Sequence, residues 1–346
     1  MAGLFDLEFH EKKIKKYQPI LAKLDLVIDW EMFRETIEKA LYVEPKGAGG
    51  RPPFDKIMMF KILILQKYYN LSDEQTEFQI NDRTSFKQFL GLKIGDTIPD
   101  EKTIWHFKEQ LANKDLSKSL FEMFAVALMD KGIIAKEVSI VDATFVDVPK
   151  QRNSKEDNAD IKKGAVPLKF GKKDKNGKQS KLCQKDTDAR WMTKSGEKHF
   201  GFKDHINADE KTKLITKYSV TSAAPHDSTE IENIVDETDN RLHADSAYRS
   251  KEIEEHLKAI ECESFVHEKG YRGSPLTEQQ KESNNKKSKI RARVEHIFGF
   301  MTNSMNNALY MRSIGIKRIK ELIGLLNLTY NLFRFEQLIR LEKVKI

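Results

Sequence analysis

The sequence predicts an α/β chain in two parts: an all-helical N-terminal region over residues 1–132 and, over residues 133–346, a mixed five-stranded sheet with flanking helices. Three observations predict it. Apolar residues recur at helical spacing through the first part. From residue 137 the texture changes to runs rich in β-branched and aromatic residues. The later strands then alternate with helical stretches, which makes a mixed sheet once an antiparallel opening has been laid down.

In the helical part, FDKIMMFKILILQKYYN carries the apolar repeat, and Ser72 with Gln75 forms a capping box that opens the next helix. Asp100, after Pro99, caps a helix through TIWHFKEQLANKDL, and Gly91 and Gly95 mark the turns between. Short helices with tight connections suit a helix-turn-helix assembly that binds DNA or pairs two copies, and equally any small helical bundle. Lys12, Lys13, Lys15 and Lys16 give the first helix a basic, solvated start.

The first three strands are EVSIVDATFVDV, KHFGFKDHINAD and KLITKYSVTSA, the last two joined by a turn at Asp209-Glu210-Lys211. A helix in STEIENIVDETD, a strand in RLHADSA, a helix in KEIEEHLKAI, a strand in ESFVHE and a final helix around Glu295 follow. The order βββαβαβα is that of the ribonuclease H fold. Residues 150–190 interrupt it after the first strand; rich in Lys, Gly, Asn and Asp, they read as a flexible insertion. Residues 270–288 read as a second polar connection, leading into the Glu295 helix.

The net charge of +7 is modest but segregated. Residues 150–198 hold 15 Lys/Arg against 7 Asp/Glu, and residues 269–293 hold 8 against 2, so the remainder is net acidic. Concentrated positive charge suits a phosphate-binding surface, because neutralised phosphates release counterions; a solvated lysine-rich linker has the same composition. Cys183 and Cys262 lie far apart, which disfavours a disulfide framework or a structural zinc site. The N-terminus lacks a basic segment followed by an apolar one, and IMMFKILIL is short and broken by Lys61, so a cytoplasmic setting is expected.

Three acids stand out: Asp142 and Asp245, each at or near a strand end, and Glu295 in an amphipathic helical stretch. Carboxylates suit hard divalent ions such as Mg2+. Two such ions about 3.5–4 Å apart activate a hydroxyl and stabilise the leaving oxygen of a phosphodiester, which points to polynucleotidyl transfer. Other acids fit structural roles: Asp147 leads into a loop, Asp227 caps a helix, and Asp204 and Asp209 are exposed strand and turn residues.

The segments VDATFVDVPKQRN, DARWMTKSGEKHFGFKDHI, TSAAPHDSTEIENIVD, HADSAYRS and RARVEHIFGFM, in this order, resemble the catalytic domain of bacterial DDE transposases of the insertion sequence five family. GRPPFDKIMMFKILILQKYYNLSDEQTEFQINDRTSFKQFLGL, with IPDEKTIWHFKEQL after it, resembles that family's helical N-terminal domain, and the resemblance covers roughly residues 45–335. It implies that Asp142, Asp245 and Glu295 are the catalytic, metal-binding acids, with two Mg2+ ions that Mn2+ can replace. The implied partners are the element's terminal inverted repeats and target DNA, bound by a homodimer in the bacterial cytoplasm in association with the nucleoid. The enzyme would cleave at the element ends and transfer a 3′-hydroxyl to target DNA. Arg291, four residues before Glu295, matches the family's arginine, whereas Thr302 stands seven residues after it where the family often has a basic residue. Arg293, Lys203, His205, Tyr248 and Arg249 are further candidates for DNA contact, and Trp191 either stacks on a base or anchors packing. A structure-selective nuclease, or a copy that only binds DNA, are the competing readings.

Overall fold

Three of the early helices start where a side chain satisfies an orphaned N–H. The computed structural model describes residues 19–44, 52–167, 169–173, 179–181, 183–194, 196–271 and 273–344, together with 9, 12–14, 16 and 17; Lys15 lies outside them. The helical part comprises α1 (Ile20–Val27), α2 (Arg34–Ala40), α3 (Lys56–Tyr69), α4 (Asp73–Asp82), α5 (Thr84–Phe89), α6 (Glu101–Lys114) and α7 (Leu116–Asp130). Asp55, Ser72 and Asp100 accept from the backbone N–H groups of Met58, Gln75 and Thr103 at 2.9, 3.2 and 2.7 Å, opening α3, α4 and α6. Asn70 and Asp115 then end α3 and α6 in the left-handed conformation.

The insertion is more structured than expected. Between β1 (Ser139–Asp147) and the next sheet strand lie α8 (Lys155–Lys162) and a hairpin of β2 (Gly171–Lys173) and β3 (Gln179–Lys181). A capping box of Ser154 and Asp157 nucleates α8, a local signal that outweighs the polar composition. Residues 168, 174–178 and 182 of this stretch lie outside the described residues.

The sheet continues with β4 (Arg190–Lys194), β5 (Glu197–Asp209), β6 (Ile215–Ser222), β7 (Arg241–His243) and β8 (Glu263–Ser264). β5 pairs antiparallel with β1 from Ser139↔Asp209 to Asp147↔Gly201. Its other edge is shared, β4 pairing with the first half and β6 with the second. β7 joins β1 in parallel and β8 joins β7 in parallel. Leaving β4 aside, the order β6-β5-β1-β7-β8 is the ribonuclease H arrangement, so the sheet has six strands rather than five. β4 is the addition: Gly196, at φ +86°, closes a tight connection between Lys194 and Glu197 that folds RWMTK back on β5. At Gly201 a Cβ would sit 2.2 Å from the Val146 carbonyl oxygen, so β1 and β5 approach closely there only because that position is glycine.

The two faces of the sheet differ. One, bearing Val141, Leu242 and Ala244, packs with α9 (Ile231–Ile234) and α10 (Lys251–Ala259) in a small core. The other, bearing Ile140, Val146, Phe202 and Ile206, shares one continuous core with the N-terminal helices. Between them runs the longest helix among the described residues, which was not among the expected elements. It follows α11 (Glu278–Arg291) and α12 (Glu295–Gly299) in the chain and is α13 (Ile316–Arg340). α13 is buried nearly all round, polar Asn327, Thr329 and Asn331 included, and touches α3, α6, α7 and β6. Its N-terminus is held by the end of the insertion: Asp186 accepts from Gly315 N and Asp188 from Ile316 N, both at 2.9 Å. No helix among the described residues is long and apolar enough to cross a membrane.

α11 also corrects an expectation, since it begins inside the stretch read as a polar connection. Thr277 and Gln280 form its capping box, a T-x-x-Q signal legible in the sequence. Its faces are polar, yet it lies across β1 and β7. Lys287 donates to the Val266 carbonyl at 2.9 Å and Asn284 to the Glu268 carbonyl at 3.0 Å, which anchors it over the strand ends.

Candidate active site

Parallel pairing brings two of the three acids together. Ile140 of β1 stands opposite His243 of β7. Two residues on from each come Asp142 and Asp245, at equal height and of the same parity, on the face that α11 crosses. β7 ends at His243 while β1 runs on to Asp147, which leaves a notch beside Asp142. Asp245 caps the short turn Ser246–Tyr248, accepting from Ala247 N at 2.7 Å. Asp142 accepts from its neighbour Ala143 N at 2.8 Å and from Arg291 Nη1, the last residue of α11, at 2.8 Å.

Burial is the main cause that pushes the Asp142 carboxyl up to about 6, with the Asp245 charge adding to it; Arg291, the Ala143 N–H and Lys194 pull the other way. Hard oxygen donors on adjacent strand ends fit a divalent cation.

Glu295 is placed differently. It opens α12 one turn beyond Arg291, and its exposed side chain lines a cavity of about 460 Å³ with Lys213, Tyr330 and Arg334. Among the described residues no group of three His, Cys, Asp or Glu side chains is arranged to hold a metal ion. The helix that carries Glu295 changes its winding. Residues 292–294 are 3₁₀, 295–299 are α and 300–304 are π. Thr302 falls in the π segment, its hydroxyl donating to the carbonyls of Phe298 and Gly299 at 3.0 and 3.2 Å, so it does not sit two regular turns beyond Glu295.

The remaining candidates are engaged within the fold. Lys203 is buried and donates to Asp227 and to the Pro225 carbonyl, both at 2.7 Å. His205 is fully buried beside Thr221, 2.9 Å away, and burial lowers its pKa to about 4. Tyr248 is buried in the smaller core with an unpartnered hydroxyl. Arg249 pairs with Glu254 and Glu268, each at 3.2 Å, and Arg293 pairs with Glu210. Trp191 stays partly exposed, its ring centroid 4.9 Å from that of Phe200.

Three expectations for other acids change. Asp204 is fully buried and accepts from Asn327 of α13 at 3.1 Å, because β5 is covered on that face by α13. Asp209 is also buried, its carboxylate taking up Thr212 N at 2.8 Å and Thr212 Oγ1 at 2.6 Å. Asp227 holds Lys203 instead of capping; His226 is the cap, accepting from Ser228 N. Asp147, at the end of β1, faces His199 Nδ1 at 3.2 Å. Two residues near the acids were not anticipated. Lys194, at the tip of the β4–β5 hairpin, is within electrostatic reach of Asp142, and His267 feels both Arg291 and Asp245. The Lys-Ser-Gly-Glu turn between two strand-like runs was the available signal for Lys194.

Residues 8–110 match the family described as Transposase domain (DUF772), and residues 134–332 match the Transposase DDE domain. Among solved structures, the chain is similar to piggyBac transposase in its synaptic complex with hairpin DNA, at 9% identity over 94% of this chain and 77% of that one, with a TM-score of 0.44. It is also similar to the chain of a pre-cleavage Mos1 transpososome, at 9% identity over 88% of this chain and 84% of that one, with a TM-score of 0.24. The DDE match alone takes in more than half of the chain, which therefore belongs to the DDE transposases of insertion sequences, enzymes of DNA transposition.

Proposed function

We propose that this transposase cuts DNA at the ends of its own element and joins the freed 3′-hydroxyl to target DNA, with Asp142, Asp245 and Glu295 as its catalytic acids. The observation that carries the reading is the parallel alignment of β1 and β7, which sets Asp142 and Asp245 side by side on the face crossed by α11. The three carboxylates would hold Mg2+, or Mn2+ in its place, as two ions. Such ions activate the attacking hydroxyl and stabilise the leaving oxygen at phosphorus. The chain's own part is to hold those oxygens at the strand ends, to keep the reacting ends aligned and to neutralise phosphate charge around them.

Arg291, Arg293 and Lys194, with the lysines of the insertion, are the cations we assign to DNA; Lys203, His205 and Tyr248 support the strands instead. Residues 1–132 form the DNA-binding and pairing region in this reading, residues 133–346 the catalytic one, and a homodimer holds two ends together in the cytoplasm at the nucleoid. The test is incubation of the protein with duplexes carrying the DNA that flanks its gene, in Mg2+, followed by sequencing of the products. Cleavage at the element boundary and joined products are expected. Cleavage without joining would favour a nuclease, and binding without either would favour a copy that only binds.

A further inference from the structure

We infer that the DNA-free protein holds its acid site in a disassembled form, in which Arg291 is the counter-cation of Asp142 and Glu295 is kept apart in a basic cavity of its own. The inference rests on the proposed roles of Asp142, Asp245 and Glu295. It goes beyond them by giving Arg291 a positioning role and residues 292–304 a mechanical one.

Three observations carry it. Arg291 Nη1 lies 2.8 Å from Asp142 Oδ2, where a cation between the two aspartates would have to compete with it. Glu295, one turn on, shares its cavity with Lys213 and Arg334 and not with the aspartates. Lys213 and Arg334 give this cavity a basic wall, which suits a carboxylate. Finally, the helix departs from α winding on both sides of Glu295, 3₁₀ between Arg291 and Glu295 and π at residues 300–304.

Such irregular turns mark hinges because their hydrogen bonds are poorer than those of an α-helix and neighbouring windings differ little in energy. Rewinding the three residues 292–294 from 3₁₀ to α turns everything after them by about 60°. A π segment immediately downstream can absorb that rotation without unseating α13. Arg291 then releases Asp142, and Glu295 turns out of its cavity toward the two aspartates. Bound DNA supplies the phosphates that give Arg291 an alternative partner.

The test is Mn2+ binding to the full-length, DNA-free protein, read from the electron paramagnetic resonance signal of the free ion. Asp142→Asn and Asp245→Asn should weaken binding at least about tenfold; if neither does, the proposed acid site itself is wrong. With that established, Arg291→Ala should tighten binding about tenfold or more, the scale of losing one charge-assisted hydrogen bond. Lys289→Ala, the same charge change two residues away on the exposed side of α11, should move it less than twofold. Glu295→Gln should also leave it within about twofold, because Glu295 is not yet a ligand. If Glu295→Gln weakens binding as much as Asp245→Asn, or Arg291→Ala is no tighter than Lys289→Ala, the inference is overturned. A duplex carrying the element's end should then change amide exchange in residues 292–304 and make Glu295→Gln weaken Mn2+ binding. Unchanged exchange there would remove the winding step.

Discussion

Asp142 and Glu295 are carried by opposite kinds of element. Asp142 sits inside β1, all nine residues of which are paired with β5, and β7 fixes the height of Asp245 beside it. Sliding that strand by one residue would turn every side chain to the wrong face, so the position is specified by the whole sheet. Glu295 instead sits in a helix whose winding changes twice between residues 292 and 304. The comparison shows that a ladder fixes a site residue absolutely, whereas a helix fixes it only as well as its winding does.

The largest expected effect tests whether both halves belong to one site. Asp142→Asn, Asp245→Asn and Glu295→Gln should each lower DNA cleavage by roughly a thousandfold or more, as removal of transition-state electrostatics does, while leaving DNA affinity within a few-fold. Near wild-type cleavage by Glu295→Gln, measured on the same labelled ends, would break the comparison by taking the helix out of the site.

Stability should separate the two halves next. At Gly324 of α13 an added Cβ would lie 2.4 Å from the Tyr218 hydroxyl and 3.1 Å from Ser117 Cβ, inside the packing that supports β6. Gly324→Ala should therefore cost about 1–3 kcal/mol in urea unfolding, as overpacking does. At Gly299, where α12 ends, a Cβ meets nothing within 4 Å. Gly299→Ala should be neutral or stabilising by up to about 1 kcal/mol, through helix propensity alone. Equal destabilisation by both would mean that the helix half is as tightly packed as the sheet half.

What the sequence made legible follows the same division. The strand acids could be found because β-branched runs declare a strand and alternation declares its face. The height match between Asp142 and Asp245 follows from strand order, which the element sequence βββαβαβα already implies. Winding has no such signature: nothing in RARVEHIFGFMTNS announces a 3₁₀ turn followed by a π turn. Asp204 was misread for a related reason, since one exposed-looking acid in KHFGFKDHINAD cannot reveal that α13, more than a hundred residues later, covers it. The order within the insertion hides behind its polar composition, and only the Ser154–Asp157 capping box signals it.

The sheet half also carries a pH signature. Burial pushes the Asp204 carboxyl from 3.8 up to about 7, the Asn327 amide opposing it. One oxygen of Asp204 and the amide oxygen of Asn327 lack partners, an arrangement that a proton on Asp204 relieves. The folded pKa lies above the unfolded one, so the native state binds this proton more tightly. Its contribution is fully present below about 4 and is lost as pH rises to about 7. Asp204→Asn keeps a donor for Asn327 and cannot ionise. It should therefore gain melting temperature relative to wild type between pH 4 and 7, and a constant difference across that range would sink the idea.

The smallest effect probes the winding itself. In the structure Thr302 spends its hydroxyl on two backbone carbonyls within the π segment, and the wider turn moves it off the line it would share with Glu295 in a regular helix. A lysine at 302 would then meet DNA only as a peripheral charge. Thr302→Lys should tighten binding to cleaved ends by about threefold at most at low salt, the worth of one exposed ion pair, and by nothing measurable at high salt. If the π segment instead rewinds on DNA, position 302 returns to the face of Glu295, roughly 10 Å along the axis. The gain should then be several times larger and should appear only on ends that Glu295→Gln still binds but does not cut. Titrating both proteins with cleaved and uncut duplexes at two salt concentrations distinguishes the outcomes, because a peripheral charge favours both duplexes equally while a rewound helix favours the cleaved one.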